Sequence, residues 1–203
     1  MKADVGRLGA GDREEVVGVL ASAFHDYPVM RHVLMDSAAG YAEQLRELIG
    51  FFCDKRLTRG WPVLGVREAG RLVAVAGVND HGDDRWPGAL AESWERLRSR
   101  IGAAAIDRLS AYEGESDRDA PSEPHHFLGI IGVLAGQQGR GYGATLLGAV
   151  SSLADSDPRS TGVCLNTELA RNVPFYRSHG YGVIAERDIG EIHTWCMFRP
   201  SSV

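Results

Sequence analysis

The chain has 203 residues, 44% of them hydrophobic, with a formal net charge of -5. That is enough apolar material for one sizeable core, and it gives a nucleic-acid partner no global electrostatic support. No apolar leader-like run and no stretch long enough to span a bilayer is present, so a cytoplasmic protein without a membrane partner is expected.

Residues 5–8 read as a short first strand. Asp12 is the candidate N-cap of a first helix, with Glu14 and Glu15 in the turn where the dipole favours acids. Its apolar stripe is Val16, Val19, Leu20, Ala23 and Phe24, and the break His25-Asp26-Tyr27-Pro28 follows. That break is either a pocket wall or an ordinary helix corner. Residues 29–35 and 41–57 read as further helices, and 61–66 with 72–78 as a hairpin turning at Glu68-Ala69-Gly70-Arg71. Residues 79–88 are polar and breaker-rich, hence a loop. Residues 89–112 read as helix with a possible interruption at Gly102, and 113–124 have the composition of an exposed, mobile loop.

An apolar run over 127–134 then predicts a buried strand, feeding through the turn Gly136-Gln137-Gln138-Gly139-Arg140-Gly141-Tyr142-Gly143 into a helix carrying Leu146, Leu147, Val150 and Leu153. A strand that enters a helix through glycines leaves backbone N–H groups unpaired at the positive end of the helix dipole, which makes an anion site. Gly139, Gly141 and Gly143 admit close approach, and Arg140 adds a charge. No Gly-Lys-Ser/Thr ends the turn, so it is not a P-loop. The glycine spacing also fails the dinucleotide fingerprint. The chain closes with a strand over 161–167, a short helix over 171–179 opened by Asn172-Val173-Pro174, and an antiparallel pair over 181–188 and 192–198. This order implies an α/β (α+β) domain spanning 1–203, with a mixed sheet and helices on both faces. The three cysteines, Cys53, Cys164 and Cys196, are far apart without metal spacing, which reads as buried free thiols and no metal centre.

Gln138-x-x-Gly141-x-Gly143 and Asn172-Val173-Pro174-Phe175-Tyr176 resemble the GNAT superfamily of N-acetyltransferases. Three more stretches are similar to the puromycin N-acetyltransferases of that superfamily: residues 23–28 with Arg31-His32, Glu123-Pro124 leading into Phe127-Leu128, and residues 194–197. The resemblance implies a single, mostly antiparallel sheet with a central splayed strand, and acetyl-CoA as cofactor. It places the pantetheine arm on Ile131, Gly132 and Val133, and the pyrophosphate on Gln138, Gly139, Arg140, Gly141, Tyr142, Gly143 and Ala144. Asn172, Phe175 and Tyr176 would flank the cofactor arm. Tyr176 would protonate the departing thiolate, and the Val133 N–H would steady the developing oxyanion. From the residues alone, Tyr176 reads equally well as a core aromatic.

A general base is less defined. Where relatives often carry Leu-Glu-Thr, this chain has Leu165-Asn166-Thr167, and Asn166 cannot take a proton. Glu168, His125 and His126 are candidates, with at most one of the two histidines in the cleft because strand neighbours point to opposite faces. A water relay, or no dedicated base, stays open. Phe24, Asp26, Tyr27, Asn166 and Trp195, with His193, are the expected acceptor-site residues. An acid among aromatics suits a partly apolar amine such as a puromycin-like aminonucleoside. Competing readings are an acyl-CoA-binding regulator without turnover and a peptide or protein N-acetyltransferase. The active form is expected to be a monomer or homodimer.

Overall fold

The computed structural model describes residues 4–35, 40–81 and 86–202. Of the expected loop over 79–88, residues 82–85 lie outside this set. The elements in chain order are β1 (Val5–Arg7), α1 (Arg13–Ala23), α2 (Pro28–Leu34), α3 (Tyr41–Arg59), β2 (Val63–Glu68), β3 (Arg71–Asn79), α4 (Gly88–Ile101) and α5 (Ala103–Ser116). They continue with β4 (His126–Val133), α6 (Tyr142–Asp155), β5 (Gly162–Thr167), α7 (Val173–Arg177), β6 (Gly182–Ile189) and β7 (Ile192–Pro200). The seven strands form one sheet in the order β1-β2-β3-β4-β5-β7-β6.

All neighbours are antiparallel except β4 and β5. Those two pair only at His126–Val163 and Phe127–Cys164, then part. The expected mixed sheet with a splayed central strand is therefore present. The β2–β3 hairpin turns through Ala69 and Gly70, both with positive φ, as tight hairpin turns require. Gly102, at φ +82°, divides the predicted long helix into α4 and α5.

A bulge decides what β4 shows to each face. Gly77 pairs with Ile130 and Val78 with Leu128, so Gly129 is the extra residue. The bulge inverts the alternation. Leu128 packs with α6 residues Leu146, Leu147 and Val150, whereas Ile130 joins the opposite core with Val16, Val19 and Leu20 of α1. Farther along, Gly132 meets α1 so closely that a Cβ there would lie 2.8 Å from Ala23 Cβ.

Two expectations are corrected. Asp12 stands before α1, but its side chain turns back: Oδ2 accepts from the Gly9 N–H at 2.9 Å and Oδ1 from Arg67 at 2.7 Å. The mobile loop over 113–124 is instead the last turn of α5 to Ser116, followed by a 3-10 turn over Asp117–Asp119. Arg187 on β6 pins that turn with two hydrogen bonds to Asp119. Its acidic, Ser-rich composition resembles a linker, but the segment has a carboxylate–guanidinium anchor. The three cysteines are free and buried, as expected.

Candidate active site

A cavity of about 380 Å³ opens where β4 and β5 part, roofed by α2, α3 and α5. Of the expected residues, Phe24, Tyr27, His125, Ile131, Asn166, Glu168, Asn172 and Tyr176 line it. The β5 alternation places Leu165 in the core under α6 and leaves Asn166 on the cavity side. Asn166 Oδ1 is buried without a hydrogen-bond partner.

Glu168 follows β5 directly. Tyr112 donates to its Oε1 at 2.5 Å, and its amide donates to the Tyr27 hydroxyl at 3.2 Å. Burial is the main force on this carboxyl and raises its pKa above the ordinary glutamate range, against the pull of the two phenols. Such a group holds or accepts a proton closer to neutral pH than a surface glutamate does. Tyr176, 6% exposed on α7, has its phenol pKa raised by burial, then by the charges of Tyr181 and Glu168. It is a neutral O–H donor at physiological pH. Asn172 Nδ2 donates to Thr167 Oγ1 at 3.2 Å, tying α7 to the end of β5.

Beside the cavity lies the glycine turn. Gly136, Gly139 and Gly141 all have positive φ, and a Cβ built at any of them would meet nothing within 4 Å. The backbone conformation dictates glycine there and the adjoining space is open. Gln138 braces the turn: its Nε2 donates to Val133 O at 3.2 Å and its Oε1 accepts from the Gly136 N–H at 2.8 Å. Gly141 is the N-cap of α6, so the amides of Tyr142, Gly143 and Ala144 form its open first turn. Phe175, 39% exposed, stands 3.4 Å from where a Gly143 Cβ would be, forming a wall beside that turn. The Leu134 N–H donates to Val73 O at 2.8 Å, so by alternation the Val133 N–H points away from β3, into the splay.

Several expected residues lie elsewhere. His126, 3% exposed, shares the α6 face with Leu128 because both precede the bulge. It sits 3.6 Å from Asp80 and 3.6 Å from Asp157, outside the cavity, and burial lowers its pKa. His125 is the histidine that faces the cavity. Asp26 is on the surface, its side chain 82% exposed and bonded to Arg31 at 2.6 Å. Trp195 packs against His193 and the α6-side core rather than the cavity. Tyr142 contributes only its amide, since its ring is buried in the core and its hydroxyl bonds Glu68. Arg140 is not a free charge: Glu68 holds it through two 2.8 Å bonds. Sequence reasoning missed Lys55, Arg56, Asn79, Tyr112 and Glu113, which also line the cavity.

No protein-family model matches the chain. Among solved structures, an acetyltransferase from Corynebacterium glutamicum described as histone acetyltransferase HPA2 and related acetyltransferase superposes with a TM-score of 0.75 at 21% identity. The match covers 100% of this chain and 98% of that one. The Drosophila melanogaster polyamine N-acetyltransferase gives 0.60 at 16% identity, covering 97% and 98%. The C-terminal condensation domain of Ebony, solved with beta-alanyl-dopamine, gives 0.65 at 11% identity, covering 98% and 99%. The chain thus has the fold of GNAT acetyltransferases, a fold that also serves a condensation domain.

Proposed function

We propose that this chain is an acetyl-CoA-dependent N-acetyltransferase of the GNAT superfamily acting on the amine of a small molecule. The observation that carries the reading is a proton acceptor and a proton donor, Glu168 and Tyr176, facing one cavity where the central strands part. Acetyl-CoA would supply the acetyl thioester. The residues present fit it: an open glycine turn at a helix N-terminus for the phosphates, and the unpaired edge of β4 for the pantetheine arm.

Asn166 Oδ1, buried and without a partner, accepts an N–H of the amine and holds it beside Glu168. Glu168 takes the proton lost as the N–C bond forms. The Val133 N–H would face the negative charge developing on the carbonyl oxygen. Tyr176 would give its proton to the sulfur as the C–S bond breaks. Glu168 in the cavity answers the loss of a glutamate at position 166 and speaks against a regulator without turnover. The enclosure by α3 and α5 favours a small acceptor over a peptide.

The stretches similar to puromycin N-acetyltransferases make puromycin the first acceptor to try. Thiol release from acetyl-CoA against a panel of amines tests the reading. Amine-dependent release is expected; acetyl-CoA left intact by every amine refutes it.

A further inference from the structure

Resting on the transfer reading of this cavity, we infer that the acceptor carries, besides its amine, an anionic carboxylate or phosphate group that Arg56 binds. Arg56 comes from the last turns of α3 and is 5% exposed. Among the described residues its only hydrogen bond is Nη1 to Phe52 O at 2.7 Å, and Nε is buried with no partner there. It makes no ion pair among the described residues. Three half-buried arginines are held by carboxylates, Arg13 by Asp54, Arg187 by Asp119 and Arg199 by Asp155, and a fourth, Arg108, by the carbonyls of His32 and Val33. Arg56 is more buried than any of these and has no carboxylate partner among the described residues.

A buried, unpaired guanidinium is costly, and burial draws its pKa down to about 10 without discharging it at neutral pH. The fold nonetheless makes room for it. Gly77 and Gly129, on the facing strands β3 and β4, clear its path: a Cβ at Gly77 would lie 2.7 Å from Nε, and one at Gly129 would overlap Nη2. Gly129, the bulge residue, borders the cavity beside Arg56. The neighbouring acids do not neutralise it. Glu113 attracts it through space without a hydrogen bond or ion pair among the described residues, its own carboxyl is raised by burial, and Lys55 also draws on its charge. The Cys53 thiol, pushed up to about 11, is neutral.

Glu168 and Asn166 lie toward β5 and Arg56 lies over β3 and β4, so the cavity offers a proton acceptor for an amine and a cation for an anion, with Phe24, Phe52 and Tyr112 among its walls. That matches a zwitterion with an apolar body, such as an amino acid or an aminoalkyl phosphate. A second positive group, as in agmatine, would meet Arg56 unfavourably.

Matched pairs test this. Phenylalanine and phenethylamine differ in a carboxylate, and 2-aminoethyl phosphate and ethanolamine differ in a phosphate. Binding is read by calorimetry and transfer by thiol release, with puromycin as an acceptor lacking an anion and agmatine as a dication. At least one anionic member should bind about tenfold or more tighter than its neutral twin, as expected for a charge-assisted bond to a buried group. R56M should close that gap, R56K should keep part of it, and G129A, which displaces Nη2 while keeping the charge, should narrow it. Whichever pair shows the gap identifies carboxylate or phosphate as the group bound. Twins that bind alike, a gap that survives R56M, or no binding by either anionic member overturns the inference. Anion-dependent binding without thiol release would refute the transfer reading and leave the Arg56 assignment standing. Release from a neutral twin as efficient as from its anionic partner would do the reverse.

Discussion

Replacing Glu168 with Gln separates a catalytic carboxylate from a structural one, because the two roles predict opposite signs for stability. The amide keeps the size of the carboxylate and an oxygen for the Tyr112 hydroxyl, which donates to Oε1 at 2.5 Å. It cannot accept a proton from the amine. Removing a general base costs about 100-fold or more in kcat, and the acidic limb of the pH–rate profile should vanish with it. In the wild type that limb should lie above the ordinary glutamate range, because burial raises this carboxyl. The stability sign follows from the same shift. Between the unfolded and the raised folded pKa, the folded state holds a proton that the unfolded state has lost. Wild-type stability therefore falls as pH rises through that window, and the burial cost is fully present above it. E168Q escapes the cost, so near pH 7 it should be more stable and melt at a higher temperature than the wild type. Steady-state thiol release across pH and thermal melts at pH 4.5 and 7.5 read both effects. An E168Q variant that turns over like the wild type, or keeps the acidic limb, refutes Glu168 as the base and directs attention to His125.

Y176F should lower turnover about 100-fold while acetyl-CoA affinity stays within about threefold, since the hydroxyl acts on the leaving sulfur. Unchanged turnover would remove Tyr176 from the mechanism. G141V places a β-branched residue at φ +84° in the cradle. It should abolish calorimetric acetyl-CoA binding while the far-ultraviolet dichroism persists, and retained binding would overturn the loop assignment. H126N should lower Tm by a few degrees yet leave thiol release within about twofold, because the imidazole is a buried group on the far face of β4. A large loss of turnover without a loss of stability would contradict that placement.

The sheet, the hairpin turn and the glycine cradle were legible in the sequence because each rests on local pattern: alternation, positive-φ turn residues, and glycines ahead of an amphipathic helix. What was hidden depends on a single inserted residue or on partners distant in the chain. The bulge at Gly129 inverts the faces of β4, and from alternation alone neither His125 nor His126 could be assigned to the cleft. Residues 113–116 looked like linker because nothing local announces the Asp119–Arg187 anchor that holds the following turn. Arg56 looked like one more polar residue near a helix end, and its signal was two glycines on other strands, at positions 77 and 129, that only the folded register brings over it. Asp26 and Trp195, both expected at the acceptor site, lie away from the cavity. The helix corner turns Asp26 out to Arg31, and β7 carries Trp195 to the α6 side.

The central claim is direct transfer from acetyl-CoA to an amine bound in the cavity at the splay. It is tested most directly by incubating the protein with acetyl-CoA and an amine that stimulates thiol release, then quantifying every acetyl-bearing species by mass spectrometry. The account predicts one acetylated amine for each free coenzyme A, with no acetylated protein at any time. Acetyl groups recovered as acetate, or an acetylated side chain forming before the product, would contradict it.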